Sequence, residues 1–265
     1  MSLNIIDTHS HLYSKDFLED FDEVVARAKS NGVSKILLPN IDEESIERMH
    51  QLSNDHPDFF VPMMGIHPCY VKENWEEQIE LVESHLKGLS SSSMPNNYCA
   101  VGEIGIDLHW DKTLVEQQKK SFRAQIKLAI KYKLPIVIHA RESFEEIFEI
   151  VDQENCAELT GVFHCFTGTV EQAQHIINYG GFKIGIGGVV TFKNSGLDKV
   201  VAEIPLEHLV LETDSPYLPP VPYRGKRNES SYLHLIADKI SDVHEVSIDI
   251  VAEITSANAT ELFGL

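Results

Sequence analysis

The stretch Leu134-Pro-Ile-Val-Ile138, followed at once by His139, decides how this chain is read. A short apolar run set between two helical patterns reads as a buried strand. Here the flanking patterns cover residues 114–132 and 142–154. The same unit recurs in both directions. Leu3-Asn-Ile-Ile-Asp7, Lys35-Ile-Leu-Leu-Pro39, Phe60-Val-Pro-Met-Met64 and Tyr98-Cys-Ala-Val-Gly102 precede it. Gly161-Val-Phe-His164, Phe182-Lys-Ile-Gly-Ile186 and His208-Leu-Val-Leu211 follow, which makes eight strands. Helical spacing covers residues 17–30, 43–55, 75–87, 169–179, 196–203, 229–241 and 247–263 as well.

Alternating strand and helix argues for parallel pairing through helical crossovers. Eight repeats predict a TIM (β/α)8 barrel in one domain over residues 1–265. An open doubly wound sheet is the alternative. The lack of a GxGxxG motif after the first strand weakens a dinucleotide-binding reading. Pro62 and Pro135 fit only at strand starts or bulges. The Ser-rich stretch 88–97 reads as a flexible loop.

The chain has 265 residues, enough for a sizeable core, with 43% hydrophobic and 24% charged residues. With 22 Lys+Arg against 41 Asp+Glu, the formal net charge is −19. That excludes a global basic footprint for nucleic acid or membrane. A phosphate-bearing ligand must be held by local groups or by metal. Cys69, Cys99, Cys156 and Cys165 form no CxxC pair, so zinc-ribbon and thioredoxin-like readings lack support. Scattered cysteines suit a reducing compartment. Residues 1–7 read as a strand, not a signal peptide, and no apolar run approaches a membrane span. The expectation is a cytoplasmic protein with no membrane partner.

The chemistry gathers at strand ends. In Asp7-Thr-His-Ser-His11, His9 and His11 stand two apart, so both imidazoles can point the same way toward one ion. Taken alone, such a pair is weak in a chain with 13 histidines. His67, Glu103, His139, His164 and Asp214 follow the third, fourth, fifth, sixth and eighth runs. In a βα barrel these positions converge at the C-terminal mouth. Closure makes strands eight and one neighbours, so Asp214, His9 and His11 can share one ion. Glu103, His139 and His164, on adjacent strands, can share another. A carboxylate has two oxygens, which makes Glu103 the bridging candidate. Mixed imidazole and carboxylate donors suit Zn²⁺, Mn²⁺ or Fe, while Mg²⁺ prefers more oxygen. One or two such ions would activate water and polarise a substrate.

The ordered segments Asp7-Thr-His-Ser-His11, Gly65-Ile-His-Pro68, Val101-Gly-Glu-Ile-Gly-Ile-Asp107, Ile138-His-Ala-Arg141, His164-Cys-Phe-Thr-Gly168, Leu211-Glu-Thr-Asp-Ser-Pro216 and Arg224-Gly-Lys-Arg-Asn-Glu229 resemble the TatD family of metal-dependent hydrolases, within the amidohydrolase-type barrels. The resemblance implies a TIM barrel, a divalent metal centre and a DNase or phosphodiesterase activity. It also implies His9, His11, Glu103, His139, His164 and Asp214 as metal ligands. Ser230-Ser231 stands where the family commonly has a proline, a departure outside the ligand set.

The remaining residues have two readings each. Arg141 either grips a phosphate oxygen or pairs with Glu142 or Glu145. His67 either contacts substrate and shuttles a proton or sits in a Pro-bounded turn. Lys226 and Arg227 either meet a nucleic-acid backbone or line a solvated loop. Trp75 and Trp110 could stack on bases, but packing is the better reading of each. The expected reaction is hydrolysis of a DNA phosphodiester, with Asp214 accepting a proton, Glu103 bridging, and His67 and Arg141 placing the phosphate. One rival is an amidohydrolase-type enzyme acting on an amide, lactone or other phosphoester. Another is a non-catalytic metal-binding protein. The expected assembly is a monomer or weak oligomer.

Overall fold

A computed structural model of the protein describes residues 3–88 and 98–265. Its parallel strands are β1 (Ile5–Asp7), β2 (Val33–Leu38), β3 (Phe60–Pro62), β4 (Val101–Asp107), β5 (Ile136–Arg141), β6 (Gly161–Phe163), β7 (Phe182–Ile186) and β8 (Leu209–Leu211). The helices are α1 (Phe21–Ser30), α2 (Ile46–Asp55), α3 (Trp75–Lys87), α4 (Val115–Tyr132), α5 (Phe144–Glu154), α6 (Val170–Asn178), α7 (Leu197–Val201), α8 (Leu233–His244) and α9 (Ile248–Phe263). The predicted loop 88–97 falls almost wholly outside the described residues.

The strands form two ladders, β1-β2-β3 and β4-β5-β6-β7-β8. Two seams join them into a closed TIM-type barrel. Between β3 and β4, the Cys99 N–H donates to Pro62 O at 3.0 Å and the Gly102 N–H to Met64 O at 3.1 Å. Between β8 and β1, the Thr8 N–H donates to Leu211 O at 3.0 Å and the Asp214 N–H to His9 O at 2.9 Å. A parallel bridge, Ser10 to Ser215, completes that seam.

Alternation along the strands positions the site. Ile6, Leu37, Met63, Ala100, Val137, Val162 and Val210 pack together with Ala259 and Phe263 of α9. This cluster is separate from the larger one that the helices make against the strands. We identify it as the inner layer of the barrel, floored by α9. Residues two apart on a strand share a face. Two residues beyond Val137, Val162 and Val210 stand His139, His164 and Glu212, so a polar layer lies directly above the apolar one.

Three expectations are corrected at element ends. β4 starts at Val101 and runs to Asp107 rather than ending at Gly102, so Glu103 lies within the strand. Its carboxylates are buried; charged residues do not read as strand in a sequence window, but here partners hold them. His139 and Arg141 likewise lie inside β5, not after it. The helix expected from residue 229 starts at Leu233, after a 3-10 turn over Ser230–Tyr232. Ser230 and Ser231, at the position of the expected proline, are buried in that turn. Pro62 ends β3, and Pro135 precedes β5.

Candidate metal centre

Glu103 stands at the middle of the mouth, with its two carboxylate oxygens facing different histidines. Oε2 lies 3.1 Å from His9 Nε2 and 3.6 Å from His11 Nε2. Oε1 lies 2.9 Å from His139 Nδ1, 2.9 Å from His164 Nε2 and 3.5 Å from His67 Nε2. Asp214 Oδ1 completes the first group, 3.5 Å from His11 Nε2 and 3.8 Å from His9 Nε2. His9 and His164 stack at 3.8 Å between ring centroids and join the two groups. The other five residues expected as ligands therefore gather about the Glu103 carboxylate, Asp214 through its contacts with His9 and His11. His67 joins them, with its Nε2 also 3.2 Å from His139 Nδ1.

The outer ring nitrogens decide what the inner ones present. The Tyr13 hydroxyl donates to Pro39 O at 2.6 Å, so its oxygen accepts from His11 Nδ1 at 2.7 Å. That leaves the His11 Nε2 lone pair facing the site. His139 Nε2 lies 2.8 Å from Asp107 Oδ2, which turns the Nδ1 lone pair inward. His164 Nδ1 lies 3.5 Å from Glu212 Oε1. His9 Nδ1, His164 Nδ1 and Glu212 Oε2 are buried without a hydrogen-bond partner. His9, His164 and Glu212 bring their donor atoms within 4.8 Å of one another, directly below the centre. Lone pairs converging at these distances repel unless a proton or a metal cation lies among them. The donor set fits divalent metal.

The same crowding moves the titrations. Burial alone would raise the Glu103 carboxyl, but His164, His67 and His9 hold it well below its ordinary value. Burial raises Asp214 too, yet the His11 contact and the charges of His164 and His9 bring it below the usual range. His164 shows the opposite balance: burial lowers it, and Glu103 and Glu212 carry it well above. Burial lowers His67 to about 3. His67 Nδ1 accepts the Cys69 N–H at 3.1 Å, so the neutral ring carries its proton on Nε2, facing the site.

Local backbone holds these groups in place. Asp214 has φ 56, a left-handed conformation that a carboxylate residue tolerates better than a β-branched one. Its neighbour Thr213 donates its N–H and hydroxyl to Asp7 at 2.9 and 2.7 Å. Asn228 Nδ2 donates to Thr213 O at 2.7 Å and Tyr217 O at 2.6 Å, fixing the loop after β8. Gly105 has φ 146, and a Cβ there would lie 2.0 Å from His139 O. Only glycine allows β4 and β5 to approach this closely beside two site residues.

Asp107, Glu212 and Asp7 are site residues to which sequence reasoning gave no role. The signal for Glu212 was present, because it lies two residues beyond inward-facing Val210. Arg141, the last residue of β5, places its guanidinium 5.3 Å from the Trp110 ring centroid. Of the two partners named in its alternative reading, Glu142 meets His109 at 2.7 Å instead. Trp75 packs against the core as expected. Trp110 does not; it is 69% exposed. The basic pair splits. Arg227 makes two 2.7 Å contacts with Asp20, which consumes its charge locally, while Lys226 lies over the Tyr223 ring.

The model of the family described as TatD related DNase matches residues 6–264. An uncharacterized metal-dependent hydrolase of Bacillus subtilis, YabD, is 38% identical over 260 residues, covering 98% of each chain. The crystal structure of YjjV, a TatD homologue from Escherichia coli, superposes with a TM-score of 0.90 at 29% identity over the full length of both chains. A phosphotriesterase homology protein from Escherichia coli shares the fold, with a TM-score of 0.70 at 12% identity.

Proposed function

The chain belongs to the family of TatD related DNases, and from that premise we propose that it is a metal-dependent hydrolase cleaving DNA phosphodiesters. The observation that carries this reading is Glu103, whose two oxygens face two donor groups at 2.9–3.6 Å. His9, His11 and Asp214 would hold one ion and His139 and His164 a second, with Glu103 shared. Divalent ions there would supply Lewis-acid polarisation of the phosphate and a water of lowered pKa. Zn²⁺, Mn²⁺, Mg²⁺ and Fe are the candidate ions, with the imidazole share favouring the first two and Fe.

The chain's own groups do the rest. Asp214 is ionised and takes a proton from the attacking water at a carboxylate oxygen, while the P–O ester bond breaks and the departing oxygen takes up a proton from solvent. His67 offers Nε2–H as a neutral donor to a phosphate oxygen. Arg141, at the rim, supplies a fixed positive charge to the next phosphate. At a net charge of −19 the protein does not steer a polyanion from a distance, so few phosphates are engaged and salt dependence is shallow. The same charge favours a second reading, an ester or amide substrate without a polyanionic backbone.

Hydrolysis of single- and double-stranded DNA, RNA, a simple phosphodiester and amide substrates, with Mg²⁺, Mn²⁺ and Zn²⁺ supplied separately, tests this. Cleavage of DNA by metal-loaded protein is the expected result. Efficient cleavage of an amide or lactone with DNA untouched would replace the reading with its rival. Among the described residues no helix is long and apolar enough to cross a membrane. A monomer or weak oligomer working in the cytoplasm is part of the same proposal.

A further inference from the structure

Three exposed aromatic rings stand around the mouth. Among the described residues, the large hydrophobic side chains that stand exposed include only three aromatics: Tyr70 at 42%, Trp110 at 69% and Tyr217 at 55%. Each lies three positions beyond a residue of the centre: Tyr70 after His67, Trp110 after Asp107, Tyr217 after Asp214. Tyr70 stands edge-on to His67 at 6.0 Å, and Tyr217 edge-on to His11 at 5.9 Å. Exposed aromatic area costs solvation, and scattered single cases need no explanation. Three gathered at one opening, with none elsewhere among the described residues, do.

Their backbones are held while much of each ring stays exposed. The Trp110 N–H donates to Asp107 Oδ1 at 3.1 Å, the same carboxylate that orients His139. The Tyr70 carbonyl accepts from Gln78 Nε2 at 2.9 Å, and its N–H donates to His67 O at 2.9 Å. The Tyr217 carbonyl accepts from Asn228, and its N–H donates to Asp214 O at 2.8 Å. Arg141 lies over the Trp110 ring and brings a cation to the same spot. A rigid ring beside a cation and a phosphate-cleaving centre has the two elements of a single-strand binding platform, stacking and charge.

We propose that Trp110, with Arg141 against its ring, and Tyr70 and Tyr217 across the mouth stack the nucleobases that flank the scissile phosphodiester. This rests on the nucleolytic reading and adds the substrate feature that is recognised.

The test compares two single-stranded oligonucleotides of equal length and charge, one with bases throughout and one with abasic tetrahydrofuran units flanking the cleavage site. Wild-type protein loaded with Mn²⁺ is expected to favour the base-bearing strand by about tenfold or more in kcat/KM. Trp110→Ala should reduce that preference by about tenfold, through KM, and Trp110→Phe should keep most of it. In a Trp75→Phe background, the remaining Trp110 fluorescence should be quenched by the base-bearing strand and not by the abasic one. Equal cleavage of both strands by wild type overturns this inference and leaves the nuclease reading standing. Cleavage of neither strand removes both. A preference unchanged in both Trp110→Ala and Tyr217→Ala overturns the inference too. So does loss of self-association in Trp110→Ala by sedimentation, which would assign the rim to a second copy of the chain.

Discussion

Gly185 on β7 leaves the space that the Glu212 carboxylate fills: a Cβ at Gly185 would lie 2.4 Å from Glu212 Oε2. Glu212 in turn lies beneath His9 and His164, one histidine from each donor group. Gly185→Ala should therefore displace a carboxylate that packs against two of the donor histidines. Groups that orient ligand histidines typically change metal affinity by about 10–100-fold. The expected result is a metal dissociation constant raised at least about tenfold, measured by titration, with secondary structure unchanged by circular dichroism.

Glu103→Ala removes the one carboxylate that faces both groups. Metal content and turnover should fall together, measured by elemental analysis and by hydrolysis. Ions that bind the folded chain also stabilise it by mass action. Adding Mn²⁺ should raise the Tm of the wild type and leave that of Glu103→Ala nearly unmoved. Full occupancy with unchanged turnover in the variant would contradict the bridging role.

Asp107→Asn tests the fixing of His139. The amide still reaches His139 Nε2 but no longer demands a proton there, so the ring is free to present the wrong nitrogen. Activity should drop about 10–100-fold at fixed metal concentration, with partial recovery at high metal. Full activity at limiting metal would contradict it.

Arg141→Ala separates substrate binding from metal binding. The guanidinium makes no contact with the Glu103 cluster in the distances above, so metal content should stay near wild type. KM for phosphodiester substrates should rise about tenfold, in the range of a charge-assisted contact. An unchanged KM would return Arg141 to a purely local role against Trp110.

A cluster away from the centre makes the chain acid-sensitive. Arg27 pairs with Glu229 at 2.7 Å, and Arg227 with Asp20 at 2.7 Å. Burial raises Glu229, but Arg27 and Ser231 bring it below its ordinary value; the Arg227 contact lowers Asp20. Carboxyls depressed in the folded state stabilise it fully above their unfolded pKa, near about 4, and lose that contribution as pH falls further. The Arg27 side chain is 44% exposed, which places Arg27→Ala between an exposed pair and a buried one, at about 1–2 kcal/mol. Denaturant melts at pH 7 and pH 3 should show that difference shrinking at the lower pH.

The barrel was legible because its strands are apolar runs and its helices amphipathic; β7 matches its sequence reading from Phe182 to Ile186. The convergence of the six residues expected as ligands was legible because each sits at or shortly after the end of such an apolar run. Asp107 had no role in that reading, since a buried carboxylate within a strand looks like any other charge until its partner is known; Glu212, just past β8, had none although its spacing from Val210 signalled it. His139 supplies that partner for Asp107, and the residues concerned are 32 positions apart. Trp110 was misjudged for a related reason. Aromatic residues pack inward by default, and the exposure of this ring emerges only from the folded turn that Asp107 holds.

The seam between β8 and β1 carries a thermodynamic consequence. Asp214 and His9 share a backbone hydrogen bond across it, although 205 positions separate them in the chain. The first donor group therefore has no existence in any fragment that lacks either end of the sequence. Loop closure over that distance is paid once, by the whole barrel, and an ion held by His9, His11 and Asp214 would act as a rivet through the join. Its binding energy becomes part of the energy of keeping the cylinder shut.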